Sequence, residues 1–234
     1  MSPRARSHPS PAGGDATRSR PQLDPDLIVE TAMQLSGGGT TQPLTVRRLG
    51  NELGADPTAI YRHFRDKDAL VMAVLDRLVA GAVEQVDTRA GWRDRLTEFT
   101  DLALSVMHQH PHIAAMAGAR TTNGPGELDA IELIIVAMDD AGLDRDDSVR
   151  FYAVLSSYVI SFISAQASSM LIGERDAEAR WIGVTPLLHQ STRPAIVNVR
   201  DELESLGDRD VFTTGVQVIL DAVEARVEHV RSAR

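Results

Sequence analysis

A chain of 234 residues has room for a small domain and a larger one, and 43% hydrophobic with 24% charged residues is an ordinary globular composition. The absence of cysteine excludes disulfides and thiolate metal centres. A formal net charge of −9 argues against a general polyanion binder, but the charge is uneven: residues 1–68 hold nine basic and eight acidic residues, while 15 basic and 25 acidic residues follow.

Residues 1–22 are rich in Pro, Ser, Gly and Arg and have no apolar period. They read as a disordered basic arm, with Arg4, Arg6, Arg18 and Arg20 available to a polyanion. Pro, Gly, Ser and Asp stand where a secretion signal would be apolar, so a cytoplasmic location is expected. From Pro25 the pattern is helical. Ile28, Ala32 and Leu35 share a face, and Gly37, Gly38 and Gly39 end that helix. Thr45 caps a short helix carrying Val46, Leu49 and Leu53, which Gly54 stops. Asp56 caps the next, with Pro57 in its first turn and Ile60, Tyr61 and Phe64 following. Asp66 caps a longer helix from about Lys67 to Val86.

Further on, the helices lengthen. They are expected from Trp92 to about His110, ended by Pro111; from Pro125 to Ala141, stopped by Gly142; and from Asp147 to Ile172. Residues Pro194 to Leu206 read as helical, and a last helix runs roughly from Asp210 to Val230. Its stripe of Phe212, Val216, Ile219, Leu220, Val223, Val227 and Val230 has a 3.6-residue period. The run Phe151–Gly173 carries no charge, but Ser156, Ser157, Ser161, Ser164, Gln166, Ser168 and Ser169 make it too polar for a membrane span. A buried helix of a bundle is the preferred reading, with no membrane partner. No alternating strand pattern and no internal repeat is visible, so the fold class is all-α.

The segment Thr45–Phe64 joins two short helices through Leu53-Gly54-Ala55-Asp56, and a turn of this length containing Gly is the signature of a helix-turn-helix. Such a pair places its second helix in the major groove, N-terminus first. The run Leu44-Thr45-Val46-Arg47-Arg48-Leu49-Gly50-Asn51-Glu52-Leu53-Gly54, followed by Ala55-Asp56-Pro57-Thr58-Ala59-Ile60-Tyr61-Arg62-His63-Phe64-Arg65-Asp66-Lys67, resembles the tetracycline-repressor family of regulators. Tyr61, His63, Phe64 and Lys67 form the specific core of the resemblance, which covers roughly residues 25–72.

The resemblance implies a three-helix DNA-binding domain (residues 23–70) and a C-terminal bundle (71–234) for dimerisation and ligand binding. It makes Thr45 a cap and phosphate contact, Arg47 a base or backbone contact, and Thr58 a groove residue. Tyr61, His63 and Lys67 would touch phosphates, with Arg48, Pro57 and Arg62 beside them. Arg suits base reading because its planar fork pairs with guanine O6 and N7. Pro57 and Ala59 stand where the family is often polar, and Gly50 where Ala is common, at a cost in helix stability. The implied partners are a palindromic double-stranded DNA operator, a second copy of the chain, and a small apolar or aromatic inducer. Candidate pocket residues are Met107, His110, Met116, Met138, Tyr152 and Tyr158.

The tract His108, His110 and His112 is interrupted by Pro111 and has no adjacent carboxylate triad, so neither metal nor cofactor is expected. No catalytic constellation is visible, and no enzyme is expected. Two rivals stay open: a DNA-binding regulator without a small-molecule input, and a helical ligand carrier or enzyme with a vestigial helix-turn-helix.

Overall fold

The computed structural model describes residues 23–118, 121–172 and 190–232; the arm expected over 1–22 lies outside them. Among the described residues the elements are helical: α1 (Pro25–Ser36), α2 (Val46–Leu53), α3 (Pro57–Ile60), α4 (Lys67–Val83), α5 (Trp92–Gln109), α6 (Pro111–Ala117), α7 (Pro125–Ala141), α8 (Arg145–Leu171), α9 (Pro194–Asn198), α10 (Arg200–Ser205) and α11 (Asp208–Ser232).

Helices α2, α3 and α4 start at the caps read from the sequence, and α1 starts at a further cap, Asp24, that was not singled out. The side chains of Asp24, Thr45, Asp56 and Asp66 accept from the backbone N–H of Leu27, Arg48, Thr58 and Ala69 at 2.8, 3.1, 2.8 and 2.7 Å. Gly54 closes α2 in the left-handed region at φ 61°, where a side chain would be strained. Ile28, Leu49, Ile60 and Leu70 are fully or nearly fully buried and form the core of this N-terminal head.

Four regions differ from the sequence reading. α3 is a single turn that passes into a hydrogen-bonded turn, with His63 and Phe64 both donating to the Ile60 carbonyl at 3.0 Å. α4 ends at Val83 and finishes in tight turns through Val86. Helix α6 was not expected: Pro111 ends α5 because it lacks an N–H, yet its fixed φ also suits the first position of a new helix. The His110 carbonyl starts that helix by accepting from Ile113 and Ala114 at 2.9 and 3.0 Å. Residues 194–206 are two short helices, broken at Val199.

Helix α4 carries the chain from head to bundle, so a boundary at residue 70 falls inside it. In the bundle α8 packs on α5, α6, α7 and α11. Ser164 donates to the Ala115 carbonyl at 3.0 Å, and Tyr158 donates to the carbonyls of Val211 and Phe212 at 2.9 and 3.2 Å. The serines that break the apolar run thus include contacts within one chain. By length and composition α8 is apolar enough to cross a membrane, but it is a bundle helix with Leu155, Val159 and Ile163 in the core.

Candidate nucleic-acid interface and ligand cavity

Helices α2 and α3 meet at close range. The Ala55 N–H donates to the Gly50 carbonyl at 2.9 Å. A Cβ at residue 50 would lie 2.8 Å from the Ala55 carbonyl oxygen and 3.4 Å from the Pro57 ring. Gly50, one of the three departures from the family pattern, is therefore required by the close approach of the Ala55 carbonyl, and the Pro57 ring packs at ordinary contact distance beside it.

Thr45, Arg47, Thr58, Tyr61, Arg62, His63 and Lys67 are all exposed, and Tyr61 keeps 47% of its surface although it is a large aromatic. They come from the start of α2, the start of α3, the turn after it and the start of α4. Arg48 differs from Arg47: it is half-buried, and its Nη1 is buried without a hydrogen-bond partner. Pro57 is half-buried on Gly50. The Thr58 hydroxyl donates to Asp56 Oδ1 at 2.6 Å, which leaves its lone pairs and methyl group for a partner. That bond and the Thr58 N–H hold the Asp56 carboxyl below its ordinary pKa. Arg65, which was not singled out from the sequence, is also exposed and pairs with Asp66 at 3.0 Å.

Behind the head, a partly open apolar cavity of about 140 Å³ lies between α4, α5, α7 and α8. Its walls are Leu75 and Val79 of α4, Phe99, Ala103 and Met107 of α5, Ile131 and Ile134 of α7, and Leu155, Val159 and Ile163 of α8. Thr100, Thr121, Thr122, Glu127, Tyr152 and Ser156 give it a few polar groups. An open cleft of about 1270 Å³ under α1 and α4 meets the cavity at Thr121, Thr122, Tyr152, Ser156 and Ile160.

Met107 and Tyr152 line the cavity; the other four pocket candidates lie elsewhere. Met138 is fully buried in the core. Met116 packs against that core from α6. Tyr158 stacks on Phe212 at 6.0 Å between ring centres, and burial raises its phenol pKa. His110 Nδ1 lies 3.0 Å from Ser36 Oγ, and burial lowers its pKa.

The rest of the histidine tract also contacts other segments. His112 Nε2 lies 2.7 Å from the Thr41 carbonyl, and His108 Nε2 lies 2.6 Å from Gln166 Oε1. Gly39 N–H donates to the Gln109 carbonyl at 3.0 Å. The tract thus fastens the α1–α2 loop of the head to the bundle. No group of metal-binding side chains occurs among the described residues.

Residues 28–74 match the family model for bacterial regulatory proteins of the tetR family, and residues 86–227 match the tetracyclin repressor-like C-terminal domain. The chain belongs to the tetracycline-repressor family. As a member, it is a DNA-binding transcriptional regulator with a helix-turn-helix head. It is 32% identical over 151 residues to an HTH-type transcriptional regulator of Saccharopolyspora erythraea, a match that covers 64% of each chain. It is 28% identical to the HTH-type transcriptional repressor DrrR1 of Streptomyces coeruleorubidus, over 89% of this chain and 80% of that one.

Among solved structures, a structural-genomics crystal structure from Streptomyces coelicolor A3(2) aligns with TM-score 0.74 at 25% identity, over 88% of this chain and 98% of that one. Two more share the fold at 22% identity. ActR of Streptomyces coelicolor in complex with (S)-DNPA has TM-score 0.65, over 88% of this chain and 98% of ActR. BioQ with its double-stranded DNA operator has TM-score 0.59, over 87% of this chain and 99% of BioQ.

For this tetracycline-repressor-family chain, the cavity walls that sequence reasoning missed are mostly Leu, Val, Ile, Phe and Ala. In a heptad-like pattern such residues look the same whether they fill a core or border a void. Thr122 and Glu127 carried no signal either, because their meeting with the cavity depends on how α4 and α7 pack.

Proposed function

We propose that this regulator is a homodimeric repressor. It holds a palindromic operator through its two heads and releases it when a small apolar or aromatic molecule fills the bundle cavity. The observation that carries the reading is the apolar cavity whose wall includes Leu75 and Val79 of α4, the helix that also begins the head's DNA-facing end at Lys67. An apolar space of roughly 150 Å³ is enough for a benzene-sized group. A ligand that binds the DNA-incompetent arrangement more tightly then drives release.

DrrR1 is named a repressor, ActR was crystallised with a small organic ligand, and BioQ with its operator; each supports the corresponding step here. Within the head, Arg47 and Thr58 are assigned to base edges and Thr45, Tyr61, Arg62, His63 and Lys67 to phosphates, with Arg48 and Pro57 shaping the turn. Dimerisation is supported by two exposed, uncharged stripes: Val154, Ser157, Ser161, Ala165 and Ser168 on α8, and Thr214, Val218, Ala222 and Ala225 on α11. Antiparallel packing of these stripes across a two-fold axis would relate two heads to two half-sites. The regulator acts in the cytoplasm, where its DNA is, and carries out no catalysis.

The test is titration of a selected operator fragment against a panel of apolar aromatic compounds, with sedimentation to establish the dimer. At least one compound should weaken DNA binding about tenfold. Ala103→Phe, which puts a ring into the cavity, should itself weaken DNA binding and abolish any further response to the compound. A compound that calorimetry shows to bind in the cavity without changing DNA affinity would contradict the reading.

A further inference from the structure

Asp76 lies midway along α4 with 9% of its surface exposed. Its carboxylate reaches into another segment of the chain, where it accepts from the Thr122 hydroxyl at 2.7 Å and from the N–H groups of Gly126 and Glu127 at 3.0 Å each. The two N–H groups are orphan donors of the first turn of α7. The α7 cap residue, Gly124, has no side chain to serve them, so a residue of α4 does so instead. A Cβ at residue 124 would overlap the Asp76 carboxylate, and one at residue 126 would overlap the Asp76 carbonyl. Both glycines are needed for α4 to approach.

Thr122 Oγ1 also lies 3.0 Å from Glu127 Oε2, so a single hydroxyl hydrogen stands between two carboxylates. It can be donated to only one of them at a time. Glu127 takes a further bond from the Asn123 N–H at 2.7 Å. Thr122 and Glu127 both belong to the wall of the apolar cavity.

We propose that Asp76 is a positioning residue for the ligand response. The joint Asp76–Thr122–Glu127 is the link through which an occupant of the cavity moves α4 and, with it, the DNA-reading head. This inference rests on the ligand-responsive reading above. An occupant that displaces the Thr122–Glu127 wall redirects the Thr122 hydrogen and shifts the first turn of α7. A buried carboxylate cannot be left without its donors except at a large desolvation cost, so α4 follows α7 rather than parting from it. Lys67 is nine residues up the same helix, about 14 Å away, and moves with it.

The chain has no cysteine, so one introduced thiol can be labelled alone. Ile131 lines the cavity one turn beyond Glu127. In full-length Ile131→Cys, benzyl methanethiosulfonate places an aromatic ring in the cavity. The readout is affinity for the double-stranded fragment that the protein itself selects from a random DNA pool, labelled against unlabelled.

The label should weaken binding about tenfold. In the Thr122→Val and Asp76→Asn backgrounds that ratio should fall below about threefold, and Thr122→Ser, which keeps the hydroxyl, should restore it. A merely structural staple would lower the melting temperature of both variants and leave the ratio intact. A full ratio in Thr122→Val overturns the joint while the ligand-responsive reading stands. A label without effect on DNA binding in the Asp76 and Thr122 parent overturns both.

Discussion

The head and the bundle are both built from helices, but they hold them in different ways. In the head each of α1, α2 and α3 starts at a side-chain cap, as does α4 where it leaves the head: Asp24, Thr45, Asp56 and Asp66. In the bundle α8 alone of the four helices from α5 to α8 starts at a side-chain cap, Asp144, which accepts from the Asp147 N–H at 2.9 Å, while α5, α6 and α7 start at Gly91, His110 and Gly124, none of which makes a side-chain cap bond. Long-range contacts add to the fixing of the bundle: Asp76 serves α7 from α4, Arg95 pairs with Asp140, and Arg226 meets Asp147 at 2.5 Å. A three-helix head has little core to bury, so local hydrogen bonds carry a large share of its definition. A bundle of long helices gains enough from burial to leave an apolar cavity unfilled.

The contrast can be broken first at the bundle core. Phe212 is fully buried and sits against the rings of Tyr158 and Phe162 at 6.0 and 5.2 Å. Phe212→Ala should cost about 3–5 kcal/mol of stability by denaturant melting. The isolated affinity of remaining folded protein for its operator should change little, because the head does not touch this residue. The reverse separation comes from Arg47 and Lys67. Arg47→Ala should lower operator affinity by about 1–3 kcal/mol, and Lys67→Ala should reduce the salt slope of binding by about 1. Neither should move the melting temperature by more than a degree or two, because both side chains are exposed.

A smaller effect is expected at the caps. Asp66→Ala, which removes the acceptor for the Ala69 N–H, should lower the melting temperature, and Asp66→Asn, which keeps an acceptor oxygen, should lower it much less. The cap is also pH-dependent. The Ala69 N–H holds the Asp66 carboxyl below its ordinary pKa, so its stabilising effect is complete above the unfolded value of 3.8 and is lost as pH falls through the lower folded value.

The smallest expected effect is at the junction of the two regions. Burial lowers the His110 pKa below the ordinary 6.5, so the folded protein prefers the neutral ring. Stability should be complete above pH 6.5 and decline as pH falls below it, since the unfolded chain takes up the proton first. His110→Gln should flatten that slope in melts between pH 7 and pH 5.

How far the sequence could be read follows the same division. The head was legible because its signals are local: a cap, a glycine in the left-handed region and a proline at a helix start each act within four residues. Even there the extent of α3 was overestimated, since the turn at residues 61–63 keeps some helix-like hydrogen bonds. Helix α6 was missed because Pro111 serves as a stop and a start at once. In the cavity, large or polarizable residues were the natural candidates, but Met138 fills the core and Tyr158 bonds to α11. The groups that border the void are ordinary apolar positions, and only the packing of α4 against α5, α7 and α8 separates them from the core.

The most direct test of the central claim is selection of binding sites from random double-stranded DNA by the full-length protein, followed by titration of the recovered site at two salt concentrations with wild type and Arg47→Ala. A two-fold symmetric site is predicted, bound far more tightly than random DNA, with affinity falling as salt rises and with Arg47→Ala losing discrimination at one position of each half-site. Equal binding of all fragments by a properly folded protein, or an unchanged site preference in Arg47→Ala, would contradict the assignment of the α2–α3 head as the sequence-reading element.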